Sequence, residues 1–292
     1  MPKTKTAVTV ISKISERPIP QSSALVVIYG IDLGRKYELD TEEVVIGRSS
    51  KCDIQIDQES ISRNHAKIRI GASGITIEDM GSTNGTFVND ELVVKTRALQ
   101  NGDYIKIGRS IFKYIAGGNI EAQYHEEIYR LTTVDGLTQV FNKRYFTETL
   151  EREISRCHRY GRQLSLVLLD IDRFKQINDE HGHLAGDYVL KQLASILRSK
   201  VRREDVLARF GGEEFALILP ELDLKQAVTV AEKLRKLVEK QQFVFDDEDI
   251  PVTFSAGVGT VTREVREPGE FVKHVDARLY EAKRAGRNRV CS

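Results

Sequence analysis

The chain has 292 residues, room for about two domains. Hydrophobic residues make up 40% of it and charged residues 30%, an ordinary globular mix. The formal net charge is +1, so no global basic field draws nucleic acid or a membrane surface, and no apolar run approaches the ~18 residues of a membrane span.

Residues 1–22 read as a flexible tail. They hold Thr4, Thr6, Thr9, Ser12 and Ser15, four basic residues against one acidic, and the breakers Pro18 and Pro20. Nothing there forms a face to bury. The apolar positions between Ala7 and Ile14 are too interrupted for a signal-peptide core. Cys52, Cys157 and Cys291 are scattered, without CxxC or metal-ligand spacing, and read as cytosolic thiols. The expectation is a soluble, cytoplasmic protein.

Residues 23–117 turn to short β-rich segments: 24–30, 43–47, 65–70, 74–79, 103–108 and 111–115. Turn signals at Gly34, Gly71, Gly74, Asn84-Gly85 and Asn101-Gly102 separate them. HAKIRI and DYIKI alternate apolar and polar residues, the period of half-buried strands. Closely spaced strands with no helical stretch predict an all-β sandwich.

Three loops of this region carry unusual chemistry: Gly47-Arg48, then Ser62, Arg63, Asn64 and His65, then Ser82, Thr83, Asn84 and Gly85. Sandwich loops cluster at strand ends, so these can converge. Arginine supplies planar fork donors for phosphate oxygens, and a serine hydroxyl adds another donor. Singly, Asn84-Gly85 also reads as a type I′ hairpin turn and His65 as a buried loop anchor. Together, GRSSKCDI, SISRNHAKI and DMGSTNGTF resemble the forkhead-associated (FHA) family over most of residues 23–117. The resemblance implies an eleven-stranded sandwich without catalytic function that binds phosphothreonine peptides. Arg48 and Ser62 would hold the phosphate, with Arg63 and Thr83 adjacent. Asn84 would grip the peptide backbone, and Gly47 and His65 would shape the loops.

Residues 118–134 follow a Gly-Gly break. Ile120, Tyr124, Ile128, Leu131 and Val134 fall on one helical stripe. The stripe fits a linker helix packed on a neighbouring domain, and equally a short two-stranded coiled coil between protomers.

From 135 to 292 helices and strands alternate. Helices are predicted from Tyr145 to Arg159, Leu184 to Lys200, Leu224 to Glu239 and Phe271 to Ala285. Strands are predicted over 164–172 and 252–259, with a hairpin in VLARFGGEEFALIL. The predicted architecture is α/β, a central sheet covered by helices.

Two places in this region put charge where a core strand should not have it. The apolar run from Leu164 ends in Asp170 and Asp172, which share a strand face. Burying an unpaired carboxylate costs several kcal/mol, so a cation should compensate. Mg²⁺ takes one or two carboxylates plus substrate phosphates, and Glu213 and Glu214 are the obvious second source. Gly211-Gly212 before them reads as a two-residue hairpin turn whose missing Cβ atoms also admit a bulky ligand.

DGLTQVFNKR (135–144), DIDRFKQINDEHGHLAGD (170–187), RFGGEEF (209–215), SAGVG (255–259) and DARLYEAKRAGRNRV (276–290) resemble, in order, the GGDEF family of diguanylate cyclases. The resemblance spans 135–292, with Glu213 in place of the aspartate of the signature. It implies a palm-like domain with a mostly antiparallel sheet that condenses two GTP to cyclic di-GMP and two pyrophosphates as a homodimer. Asp170, Glu213 and the Ile171 carbonyl would hold two Mg²⁺ per site, with Mn²⁺ as a substitute. Glu213 would also assist deprotonation, and Glu214 would be a further metal contact. Asn178 and Asp187 would read guanine. A carboxylate matches the N1–H and N2–H donors of guanine and finds no such pair on adenine.

Lys283 and Arg287, expected one turn apart on the closing helix, would meet the triphosphate, as would Phe174 and Lys175. Alone, Lys283 and Arg287 read as a solvated helix face. Gly211 and Gly212 would let the nucleotide approach. His181 and His183 form an HxH without a third ligand, so a loop role is expected, with His183 near the substrate. Ser255 and Gly257 are read as strand packing near the site.

Arg202-x-x-Asp205 sits six residues before Gly211 at the spacing of the family's inhibitory product site. There arginine would meet the N7/O6 edge of guanine and aspartate the N1/N2 edge. The competing reading of the whole chain is a catalytically inactive cyclic di-GMP receptor that recruits a phosphoprotein. Such a receptor would be expected to lack an active-site carboxylate or phosphate ligand, and this chain keeps them all. The occupant of the sandwich is either the chain's own phosphorylated tail, favoured by tethering, or a foreign phosphoprotein.

Overall fold

The computed structural model describes residues 22–30, 32–71, 74–119 and 121–292, the side chains of 122 and 126 excepted. The predicted tail threonines and serines, and Ile120 of the linker stripe, lie outside the described residues. The chain divides into two compact units that meet in sequence between Arg130 and Leu131.

The first unit contains β1 (Ser23–Tyr29), β2 (Lys36–Leu39), β3 (Glu43–Gly47), β4 (Ile54–Gln55), β5 (Ala66–Gly71) and β6 (Gly74–Asp79). It continues with β7 (Thr86–Val88), β8 (Glu91–Leu92), β9 (Thr96–Ala98), β10 (Tyr104–Ile107) and β11 (Ser110–Ile115). They form one sheet in the order β2-β1-β11-β10-β7-β8 and a second in the order β4-β3-β5-β6-β9. Alternate residues such as Ile105 and Ile107 of β10 and Ala66 and Ile68 of β5 are buried. They join Leu25, Ile46, Ile77 and Phe112 in one core, the inner layer of a sandwich.

Helix α1 (Glu121–Thr133) follows. Asn119 Oδ1 accepts from the Glu121 amide and caps it. Within the first unit Lys113 pairs with Glu121, and Gly34 leaves room for Tyr129. Ile128 and Leu131 of the apolar stripe remain 55% and 52% exposed.

The second unit contains α2 (Lys143–Tyr160), β12 (Leu164–Ile171), α3 (Phe174–His181), α4 (His183–Arg198), β13 (Val206–Arg209), β14 (Glu214–Pro220) and α5 (Leu224–Glu239). A small hairpin, β15 (Val244–Phe245) and β16 (Glu248–Asp249), precedes β17 (Phe254–Thr260), α6 (Pro268–Arg284) and β18 (Val290–Cys291). The sheet order is β13-β14-β12-β17-β18, antiparallel except for the parallel β17–β18 pair. All eight residues of β12 are buried because it is central and covered on both faces. Val167, Leu169 and Ile171 pack with α4 and α5 through Leu190, Leu193 and Leu234. Leu164, Leu166 and Leu168 pack with α2 and α6 through Phe146, Leu150, Phe271 and Val275. The sheet therefore delivers the end of β12 and the β13–β14 turn to one rim.

Candidate active site

Asp170 lies at the end of the most buried strand and is 6% exposed. Its counter-charge comes from α6. A Cβ at Gly257 would collide with the Val275 carbonyl and the Leu279 amide, so a glycine lets α6 pack backbone to backbone on β17. Lys283 Nζ thereby reaches 2.8 Å from Asp170 Oδ2. Burial pushes the Asp170 carboxyl up to about 6, Lys283 pulls it down, and the charges of Glu213 and Glu214 raise it further. Ser255 and Gly257 thus sit where strand packing was expected, and Gly257 also sets the distance of α6.

The β13–β14 turn is wider than the expected two-residue hairpin. Pairing runs to Arg209 opposite Phe215, Phe210 N–H still donates to the Glu214 carbonyl, and neither Gly211 nor Gly212 has positive φ. Gly211 is required for space: a Cβ there would collide with the Glu214 carboxylate. Gly212 has open space around it. The residue directly across from Asp170 is Glu214, where Glu213 was expected. Glu213 instead receives the Ile171 amide on its carbonyl, and its charge still acts on Asp170.

Among the described residues no three His, Cys, Asp or Glu side chains form a ready metal cage. Asp170, Glu213 and the Ile171 carbonyl are a sparser, all-oxygen set. A buried carboxyl raised by two neighbouring glutamates is a suitable partner for a hard cation that completes its shell with waters and phosphates.

The α3–α4 pair holds the residues expected at the base. Gly186 lies so close to Asn178 that a Cβ would strike Asn178 Oδ1 and approach Phe174. Asp187 follows it, exposed, near the start of α4. His183 is exposed as the first residue of α4. His181 Nδ1 is 3.1 Å from Glu248 Oε2, a loop tie as expected. An open cavity of about 630 Å³ is lined by Arg173, Lys175, Gln176, Asp179, Glu180 and Arg287. It unites Lys175 with Arg287 and adds Arg173, which sequence reasoning missed.

Arg287 is not on the closing helix. The helix ends at Arg284, and Gly286 turns left-handed at φ +110°. The Arg287 amide then donates back to the Ala282 carbonyl, a Schellman-type stop. Lys283 and Arg287 therefore diverge, one to Asp170 and the other to the cavity.

Two further groups were not legible from the sequence. Asp172 does not share the role of Asp170. It is 8% exposed and accepts from Thr253 Oγ1 at 2.8 Å, Ser255 Oγ at 2.7 Å and the Asn288 amide at 3.0 Å. Arg209 clamps the GGEEF turn. Its Nε and Nη2 donate to the Gly212 carbonyl at 3.0 and 2.7 Å, and its Nη1 reaches Asp135 at 3.2 Å. Burial opposes the charged form of Asp135, but Thr138 and Arg209 outweigh it and hold the carboxyl below its usual range.

In the RxxD segment the Arg202 amide donates to Asp205 Oδ2 at 2.8 Å. Asp205 Oδ1 is closed off from solvent with no hydrogen-bond partner, and burial raises this carboxyl.

In the first unit the three loops do converge. Arg48 N–H donates to the Ser62 carbonyl, and Ser62 Oγ accepts the Thr83 amide at 3.1 Å. His65 is fully buried; its Nδ1 accepts from the Ser62 amide and its Nε2 contacts the Gly85 carbonyl at 3.1 Å. It is therefore a loop anchor. A Cβ at Gly47 would collide with the Arg63 carbonyl. Arg63 and Asn84 are exposed, and Asn84 Nδ2 donates to the Ser60 carbonyl at 2.8 Å. Asn84 does not have positive φ, so Asn84-Gly85 is not a type I′ turn. Asp79 was missed: it accepts from Gly81, Ser82 and Thr86 and shapes this loop.

The family model described as "Diguanylate cyclase, GGDEF domain" matches residues 132–289, and that described as "FHA domain" matches 44–108. "Diguanylate cyclase A" of Treponema denticola is 31% identical over 277 residues, covering 90% of this chain and 73% of that protein. "Diguanylate cyclase DgcP" of Pseudomonas aeruginosa is 46% identical over 157 residues, covering 53% of this chain and 23% of that one. The solved coiled coil and GGDEF domain of DgcB from Caulobacter crescentus, in complex with c-di-GMP, matches with a TM-score of 0.56 at 31% identity. It covers 58% of this chain and 90% of that one.

Proposed function

The chain belongs to the GGDEF family of diguanylate cyclases, and from that membership we propose that it condenses two GTP to cyclic di-GMP, with phosphopeptide binding by its FHA domain as the control. The observation that carries the catalytic reading is Asp170, buried at the end of β12 beside Glu213, Glu214 and Lys283. In each of two identical steps a 3′-oxygen bonds to an α-phosphorus, the bond to pyrophosphate breaks, and the hydroxyl proton leaves. Two Mg²⁺ held by Asp170, Glu213 and the Ile171 carbonyl would activate the hydroxyl and neutralise the leaving group. Glu213 assists the deprotonation, and Glu214 supports the cation site from beneath Gly211. Asn178 and Asp187 select guanine. Lys175, Arg287 and Lys283, with Phe174 at the start of α3, orient the triphosphate.

Each copy holds one GTP, so two copies must face each other. The exposed Ile128 and Leu131 of α1 support pairing through that helix. Asp205, with an unused acceptor, supports an inhibitory product site with Arg202. Arg48, Ser62, Arg63, Thr83 and Asn84 would receive a phosphothreonine peptide, from the chain's own tail or from a partner protein. If it is the tail, deleting residues 1–16 abolishes phosphorylation-dependent control; unchanged control points to the partner.

The test is incubation of the full chain with Mg²⁺ and GTP over a range of protein concentrations. Cyclic di-GMP should form, with specific activity rising with concentration. No cyclic product under conditions that support a dimer would leave the receptor reading instead.

A further inference from the structure

Arg287 reaches its cavity from a segment with no regular structure to hold it. Both Arg287 and Asn288 have left-handed backbones, at φ +60° and +46°, a conformation that side-chain-bearing residues adopt only when their surroundings impose it. Gly286 begins the turn, but nothing in a glycine fixes where the next two residues go.

Asn288 is tied down on three sides. Its amide donates to Asp172 Oδ2 at 3.0 Å. Its Oδ1 accepts from Arg235 Nη1 at 2.7 Å, and its Nδ2 donates to Glu239 Oε1 at 2.7 Å. Arg235 is itself fastened to Glu232 and Glu239 on α5. Asp172 is in turn fixed by Thr253 and Ser255. The Arg289 carbonyl then accepts from the Ala256 amide, and the chain enters β18. The residue after Arg287 is thus bolted to α5, to the extension of β12 and, through Ser255, to β17.

We propose that Asp172 and Asn288 form a latch that holds the Arg287 arm at the triphosphate end of the site, which makes Asn288 a positioning residue for the nucleotide's phosphates. The latch rests on the reading of that cavity as the triphosphate site. It also gives Asp172 a purpose that its neighbour Asp170 does not share. Two residues apart on one segment, one carboxylate faces the Lys283 charge and the other orders the loop that carries Arg287.

The test is a double-mutant cycle read by calorimetry, using 3′-deoxy-GTP with Mg²⁺, which lacks the hydroxyl to be condensed, and guanosine, which lacks the phosphates. Asn288→Gly keeps the left-handed backbone and the amide to Asp172 but removes both side-chain bonds. It should weaken 3′-deoxy-GTP roughly tenfold, the loss of a charge-assisted contact, and leave guanosine unchanged. Arg287→Ala should weaken 3′-deoxy-GTP at least as much. The double variant should be no weaker than Arg287→Ala alone, because Asn288 acts through Arg287. In turnover, Asn288→Gly should raise KM for GTP more than it lowers kcat.

Additive losses, or equal weakening of guanosine, would overturn the latch by making Asn288 an independent or merely structural residue. If Arg287→Ala weakens 3′-deoxy-GTP and Asn288→Gly does not, the latch alone falls. If Arg287→Ala has no effect, the triphosphate reading of the cavity falls and the latch with it.

Discussion

Asp170 concentrates the electrostatics of the site. Its carboxyl is raised from 3.8 to about 6 in the fold, so the folded chain binds that proton more tightly than the unfolded one. The group's contribution to stability is therefore greatest at low pH and declines as pH rises from about 4 through about 6. In metal-free protein, urea midpoints of wild type and Asp170→Asn should diverge over that window, moving in favour of the variant as pH rises. A difference that stays constant with pH would contradict the assignment. Gly186 gives a second residue-scale prediction. A Cβ there would displace the Asn178 side chain, so Gly186→Ala should raise KM for GTP roughly tenfold, about the value of one hydrogen-bonding group. An unchanged KM would show that Asn178 does not need this approach. Asp170 was legible because a carboxylate at the end of an apolar run is chemically out of place. The role of Asp172 was not, because its partners Thr253, Ser255 and Asn288 come from more than eighty residues along the chain.

The elements were legible where periodicity is strong, and less so at their ends. α5 begins and ends where the apolar pattern does, helped by an Asp223–Gln226 capping box. α6 starts at Pro268, three residues before its predicted start, because proline is at home in a first helical turn. Turns misled most. Two-residue left-handed turns occur at Asn89-Asp90 and Asp246-Asp247, where short polar side chains tolerate that backbone. The Gly-Gly and Asn-Gly pairs that carry the usual turn signal serve other ends: Gly211 makes room for Glu214, and Asn84 ties its loop to Ser60. Helix α6 depends on a glycine contact that periodicity does not express. Gly257→Ala would push α6 off β17 and draw Lys283 from Asp170. We expect a loss of about 1–3 kcal/mol, the usual cost of overpacking, and a further drop in turnover beyond the change in folded fraction. Full activity with an unchanged thermal midpoint would show that the close approach is dispensable.

At the scale of the molecule, a cyclase unit and a phosphopeptide-binding unit share one chain, and each can be tested separately. Arg48→Ala should abolish binding of a phosphothreonine peptide, the loss of a charge-assisted phosphate contact worth about 1.5–3 kcal/mol, and leave basal cyclase turnover unchanged. Retained peptide binding would move the phosphate away from Arg48. That the chain holds both units was legible from its motifs, since each string is specific and local. How α1 serves them was not, because the same apolar stripe suits a packed linker and a coiled coil, and α1 has Tyr129 against Gly34 while leaving Ile128 and Leu131 exposed. The central claim is that the carboxylates around Asp170 drive condensation of two GTP. Pyrophosphate release and cyclic di-GMP, quantified together in one reaction for wild type and for folded Asp170→Asn, test it most directly. The account predicts two pyrophosphates for each cyclic di-GMP from wild type, and a rate lower by on the order of a hundredfold or more in the variant; pyrophosphate without cyclic product, or a variant as fast as wild type, would contradict it.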